Sequence, residues 1–340
     1  MNSSYEQAVR RFGCPHYWIV DLNYLRIGVA SNSAPFPGSS YVYSHSSSKS
    51  EFEQCKYRVS LFEQESFSSE ELSWLKNYCD KSFRGDRFRS GFYITHHFGD
   101  PAFIFTAGSE VLVIGTTLKK LIWPYFTKVF LTLEAEKRGD LHLKAACVEL
   151  NGKGILLIGR GSGGKTVMLK EACKHGAIFV ANTHCVVSTT RVIGVQSPVR
   201  VRDDPIFADQ IRASGAQPHI EADEYTLRHA SFFEHTKSET TPNIMCVIDY
   251  RPERPALIRR MTIDQIYGFA ELFAFPTVTY GIKDDILASV QGDHFQLAEM
   301  YGSMKAKLKH IVSAMPVFYV SIDATKKGDW AYLRESLAIE

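Results

Sequence analysis

No apolar run in this chain approaches the ~20 residues that a bilayer-spanning helix needs, and the opening Met1-Asn2-Ser3-Ser4 lacks the basic and apolar regions of a signal peptide. Long runs of one charge are also missing. With 39 Lys+Arg against 37 Asp+Glu the net charge is +2, which gives no electrostatic reason to expect nucleic acid or an anionic membrane as partner. There is no CxxC pair. The seven cysteines, Cys14, Cys55, Cys79, Cys147, Cys173, Cys185 and Cys246, are odd in number, scattered and mostly set in apolar segments. That argues against a disulfide framework and suits buried thiols in a reducing compartment, so a cytoplasmic protein is expected.

What is present is enough chain for two cores: 340 residues exceed one ordinary domain. The expected division is a smaller, sheet-rich domain over 1–122 and an α/β domain over 123–340. Residues 18 to 30 and 92 to 115 alternate aromatic or branched residues with polar ones, as in Tyr17-Trp18-Ile19-Val20 and Val111-Leu112-Val113-Ile114, and read as strands. Between them Ser31 to Ser50, with Pro35, Pro37, Gly38 and many serines, reads as a mobile loop with too little apolar surface to offset its ordering entropy. The apolar stripe from Leu118 to Leu133 predicts a helix. Pro124 fits only a helix start, so the helix is expected from Pro124 to about Lys137, stopping at Gly139 and hinging the two domains.

Gly159-Arg160-Gly161-Ser162-Gly163-Gly164-Lys165-Thr166 matches the phosphate-cradling spacing G-x-x-x-x-G-K-[ST]. Glycines let backbone N–H groups turn inward around a phosphate, and the following helix aims its positive end at the same charge. Lys165 would reach the β and γ phosphates, Thr166 would bind Mg²⁺, and Val167 follows in the first helical turn. ATP with Mg²⁺ is the expected nucleotide.

The flanks support this. Leu141 to Leu150 and Gly154 to Ile158 read as strands joined across the hairpin pair Asn151-Gly152. A helix from Lys165 to His175 ends at Gly176, and a strand from Ala177 to Ala181 follows. Ligands bind at the carboxyl ends of such strands, which puts Asn182, Thr183 and His184 beside the phosphates. Ser197 to Thr241 reads as irregular, either a substrate-covering segment or a plain surface excursion. Regularity returns with a strand Ile244 to Ile248, a helix opened by the capping pair Thr262 and Gln265, a helix from Phe295 to Ala314 and a strand Val317 to Ile322.

In this order the elements resemble a known family. Leu141-His142-Leu143-Lys144-Ala145-Ala146-Cys147-Val148, the Asn151-Gly152 turn, the glycine loop and Gly176-Ala177-Ile178-Phe179-Val180-Ala181 are similar to the catalytic domain of HPr serine kinases. The strand around Cys246, the Thr262-capped helix and Met315-Pro316-Val317-Phe318-Tyr319-Val320 resemble the tail of such proteins, so the likeness runs from the 120s to the chain's end. It implies an α/β, P-loop mixed-sheet domain of phosphoenolpyruvate-carboxykinase-like type. The implied activity moves a γ-phosphoryl group from ATP to a hydroxyl, usually of serine, on a carrier protein, a peptide or a small amino-acid-like acceptor. A homo-oligomer built through this domain is a further implication. Nothing is carried onto the N-terminal third.

One departure matters. The family's paired aspartates after the helix are replaced here by Ala181-Asn182-Thr183-His184. An amide cannot take a proton at neutral pH, whereas an imidazole can. His184 is therefore the expected base, with a structural histidine as the competing reading, and Asn182 would bind Mg²⁺ water or orient the acceptor. His142 corresponds to a family histidine close to the phosphates. Arg200 and Arg202 would neutralise charge on the transferred group, and Asp203 or Asp204 would supply the missing metal carboxylate; solvated loop charges are the alternative for all of these. Asp249, closing Ile244-Met245-Cys246-Val247-Ile248, mimics a Walker B aspartate, although in the resembled family this strand usually has no metal role. Cys173, His175, His184 and Cys185 lack zinc spacing. Two readings compete with the kinase: a nucleotide-binding regulator that has lost the chemistry, and a plain NTPase.

Overall fold

The alternating strands of the N-terminal third assemble into one seven-stranded sheet. Its order is Ser44–Ser46, His16–Asp21, Arg26–Ser31, Tyr57–Glu63, Glu110–Gly115, Gly99–Ala107 and Gly91–His96 in this computed structural model. The structure describes residues 3–77, 79–82, 85–88, 91–96, 99–161, 163–216, 224–283, 286–287 and 292–339. Tyr57–Glu63 pairs parallel with both of its neighbours, and the other pairs are antiparallel. The expected strand over 92–115 is three strands, because Gly108 takes φ +63° and turns the chain back between the last two. Phe12, Leu75, Phe105, Leu112 and Ile114 form the core on one face. Between the helices Ser3–Arg11 and Lys49–Gln54 lies a cleft of about 610 Å³ that includes Tyr5, Cys14, Phe52, Arg58 and Glu110 in its lining.

The reading of Ser31 to Ser50 as a mobile loop is corrected. It holds a 3₁₀ turn, Ser39–Tyr41, a short strand and the start of a helix. Phe36 is buried on Trp18 with ring centroids 5.1 Å apart. The Asn32 amide donates to Glu63 O at 2.8 Å and accepts from Glu63 N at 2.9 Å. A few well-placed groups do what average composition does not reveal. The helix start is corrected too: Ile122–Phe126 is a π-helical turn and the α-helix runs Thr127–Lys137. Pro124 has no N–H to donate, and the register widens so that Phe126 N reaches Leu121 O at 2.9 Å. Gly139, at φ +80°, follows the helix end as expected.

The chain divides into two units, Met1–Leu133 with Ile282–Glu299, and Glu134–Gly281 with Met300–Glu340. The second unit is built on a six-stranded mixed sheet, in the order Ile178–Ala181, Ala146–Leu150, Lys153–Ile158, Pro242–Ile248, Val317–Ser321 and Leu257–Arg260. Three adjacent strands, Lys153–Ile158, Pro242–Ile248 and Val317–Ser321, are parallel. Their near-continuous apolar runs fit burial on both faces. Ile155 and Leu157 face the helix Lys165–Lys174 side with Met168 and Trp330, while Leu156 and Ile158 face Ile266, Met304 and Leu308. Asn151 and Gly152 both take positive φ, 51° and 74°, and join Ala146–Leu150 to Lys153–Ile158 as the hairpin their sequence predicts.

The reading of Leu141 to Leu150 as one strand is corrected. Leu141–Leu143 leaves for a four-stranded sheet with Cys185–Val187, Val192–Gly194 and Glu239–Thr240, while Ala146–Leu150 stays in the main sheet. The break falls at Lys144-Ala145, where Lys144 N donates to Ala274 O at 2.7 Å. Ser197 to Thr241 is also more regular than expected: Val199–Arg202 pairs antiparallel with Glu224–Leu227. Among the described residues no helix is long and apolar enough to cross a membrane.

Candidate functional site

The glycine loop leaves its strand at Ile158, turns back on itself and enters the helix Lys165–Lys174. What bends it is the neighbouring strand. A Cβ on Gly159 would stand 2.7 Å from Ile248 O, and one on Gly164, at φ +90°, would stand 2.1 Å from Tyr250 Cβ. Both glycines are therefore required by close approach, and Gly164 by conformation as well. Gly163 N donates to Arg160 O at 3.2 Å and Tyr250 N to Gly163 O at 3.1 Å, so the curl is tied at both ends. Gly161 and Arg160 are exposed on the outside of the bend, and Ser162 lies outside the described residues.

Lys165 reaches back over the loop. Its Nζ donates to Gly159 O and to Arg160 O, each at 2.8 Å, both neutral acceptors. Burial, and then the charge of Lys144, pull its ammonium down to about 8. Thr166 is half-buried in the first helical turn, and Val167 faces the core.

The strand Ile178–Ala181 lies on the far side of Ala146–Leu150 and runs in the same direction as the loop strand, since both pair antiparallel with it. Ala181 and Leu156 flank Cys147, so Asn182 and His184 leave the sheet at the edge where the loop begins. Asn182 is buried and committed at both ends of its amide: Nδ2 donates to Pro198 O at 3.1 Å and Oδ1 accepts from Ser197 Oγ at 3.0 Å. His184 is buried with its Nδ1 3.0 Å from His142 Nε2. These two imidazoles, forty-two positions apart, are brought together by the pairing of Leu143 with Cys185. The Tyr280 ring stands over His184 with centroids 6.3 Å apart.

The cationic and acidic candidates are placed less centrally. Arg200 sits on the strand Val199–Arg202 with its guanidinium 3.9 Å from Glu224, and Arg202, two residues on, is exposed. Asp203 is exposed. Asp204 caps the turn Pro205–Phe207 by accepting from Ile206 N at 2.8 Å. Asp249 follows the strand next to the loop strand, its carboxylate accepting from Tyr319 OH at 3.0 Å and Arg251 Nε at 3.2 Å. Since Ile158 pairs with Val247, Asp249 also lies beyond the carboxyl edge. Partial burial, and then Asp323, which accepts its hydroxyl at 3.3 Å, raise the Tyr250 phenol; Asp204 and Glu171 add to this. Carboxylates thus gather around the tyrosine that packs on Gly164.

Among the described residues no group of three His, Cys, Asp or Glu side chains could hold a metal by itself. Mg²⁺ is commonly held by one or two protein oxygens together with substrate phosphates and water. Thr166, Asp204 and Asp249 carry oxygens of the kind that Mg²⁺ takes.

Sequence reasoning missed Lys144, Tyr280, Ser197 and Tyr250. Lys144 had a signal, a single cation inside an apolar stretch; the others had none. No protein-family model matches this chain, and no curated protein matches it significantly.

Proposed function

We propose that the chain is an ATP-dependent kinase of HPr-serine-kinase-like type, with a P-loop domain of the phosphoenolpyruvate-carboxykinase-like kind, transferring the γ-phosphoryl group to a serine-type hydroxyl. The observation that carries the reading is Lys165 Nζ poised on Gly159 O and Arg160 O across a curled glycine loop at a helix N-terminus. Such a loop offers inward N–H groups and a mobile ammonium to a polyphosphate.

In this reading Lys165 exchanges its two carbonyls for the β and γ phosphates. Thr166, with Asp204 or Asp249, would hold Mg²⁺, whose charge would offset the negative charge of the phosphates. His184 takes the acceptor's proton, and His142, on its Nδ1, fixes the ring and its tautomer. Arg200, on the strand Val199–Arg202, balances negative charge. Because His184 is buried, an acceptor reaches it in this reading only when its surroundings open.

A second reading, a nucleotide-binding regulator without chemistry, is favoured by one observation: the amide of Asn182 at the expected base position is taken up by Ser197 and Pro198. Calorimetry with Mg·ATP, followed by phosphorus NMR or mass spectrometry with serine, peptide and protein acceptors, separates the two. Binding with a phosphorylated product supports the kinase; binding without product from any acceptor supports the regulator. Absence of binding in the wild type, or binding unchanged in Lys165→Ala, removes both.

A further inference from the structure

We propose that Lys144 is a second anion-binding group at the edge of the glycine loop, which takes a phosphate or carboxylate oxygen other than those Lys165 grips. The register fixes its place. Ala146 pairs with Leu157 in the antiparallel hairpin, so Lys144, two residues upstream, leaves the main sheet where Gly159 begins. Its backbone is pinned there by the bond from Lys144 N to Ala274 O at 2.7 Å.

The Tyr280 ring holds the side chain without neutralising it. Lys144 Nζ lies 5.1 Å from the centroid of the Tyr280 ring, the ring that also stands over His184. An aromatic face offsets part of the cost of taking an ammonium out of water, yet it accepts no full hydrogen bond from it. Among the described residues no carboxylate lies within ion-pair distance of this ammonium. Its charged surroundings make matters worse: burial first, and then the Arg200 guanidinium, hold it below the usual lysine range, and Lys144 in turn depresses Lys165. A half-buried cation facing other cations is stabilised by an anion supplied from outside. Lys165 rests on neutral carbonyls of its own loop, so this end of the sheet presents two ammonium groups and, among the described residues, no carboxylate within ion-pair distance of either.

The anion has two possible sources, the terminal phosphate of a nucleoside triphosphate or an acidic group on the acceptor. The inference rests on the nucleotide reading for that choice alone. Calorimetry on the full chain decides it, with Mg·ADP, with Mg·AMP-PNP, and with inorganic phosphate added to ADP-saturated protein, comparing wild type with Lys144→Met and Lys144→Arg. The Met variant is expected to bind ADP within about twofold of wild type. It should lose about tenfold or more either for AMP-PNP, which assigns the terminal phosphate, or for phosphate on the ADP complex, which assigns an acceptor anion. The Arg variant, keeping the charge, should retain both within about threefold.

Equal weakening of all three titrations, or of none, overturns the inference. If wild-type protein binds no nucleotide, the nucleotide reading falls by itself, and phosphate titrated into the nucleotide-free chain decides Lys144: a tenfold loss in the Met variant supports it, and no difference or no binding overturns it. Should the Met variant fail to fold by thermal melting, Lys144→Gln is read in its place.

Discussion

His142 Nε2 and His184 Nδ1 face each other at 3.0 Å with both rings buried, so one nitrogen must donate and the other accept. While that contact persists the pair carries at most one positive charge, since two imidazolium rings would set N–H against N–H. Replacing either ring leaves the other without this partner in a dry environment, at a cost of about 1–3 kcal/mol. Thermal and urea unfolding of His142→Phe, His184→Phe and the double variant should give a coupling of about 0.5–3 kcal/mol. Strictly additive effects would show that the two rings do not bond. In the kinase reading His184→Ala also lowers turnover on the order of 10²-fold while Mg·ATP affinity holds.

Two glycines of the loop should respond in opposite ways. Gly164→Ala drives a Cβ to 2.1 Å from Tyr250 Cβ at φ +90°, whereas a Cβ on Gly161 meets nothing within 4 Å. Gly164→Ala is expected to lose about 1–3 kcal/mol and, in the nucleotide-binding reading, most of its nucleotide affinity, and Gly161→Ala to stay within about 0.5 kcal/mol. Paired denaturation curves check this; equal tolerance would mean that Tyr250 does not pack on the loop.

Asn182→Ala strips partners from the Ser197 hydroxyl and the Pro198 carbonyl together. A loss of about 1–3 kcal/mol is expected, with faster hydrogen exchange over Val199–Arg202, the strand that follows directly. If exchange there is unchanged, the amide does not anchor that strand, and Arg200 is placed by something else.

Burial pushes the Cys14 thiol up to about 12. The unfolded chain gives up that proton above about pH 8.5, so stability tied to this thiol is whole below that pH and is lost as pH rises toward the folded value. Alkylation of Cys14 by iodoacetamide in the folded chain should stay slow near pH 9 and keep rising beyond pH 10, while in urea it levels off near pH 9. Peptide mass spectrometry reads both, and a plateau near pH 9 in the folded state would contradict the burial.

Local chemistry made much of the second unit legible. The Asn151-Gly152 turn, the glycine loop with its helix, and the box in which Thr262 accepts from Gln265 N at 3.3 Å while Gln265 accepts from Thr262 N at 3.0 Å are each specified by neighbouring residues. The split at Lys144 was not legible, because an apolar stretch reads alike whether it serves one sheet or two. Nor was the meeting of His142 with His184, which depends on strand pairing across distant segments. In the N-terminal unit composition misled: the serine- and proline-rich stretch is ordered by Phe36 and Asn32, two residues that an average over twenty dilutes. The widened turn at Pro124 has the same origin, a single missing donor.

An arriving phosphate does not find Lys165 waiting in solvent. The amine already satisfies two carbonyls of the loop it guards, so any ligand must exchange bond for bond, and only the surplus of anion over amide oxygen drives occupancy. In the nucleotide-binding reading, a resting loop that serves as its own internal competitor keeps its shape without a ligand and lets go of weakly charged occupants quickly.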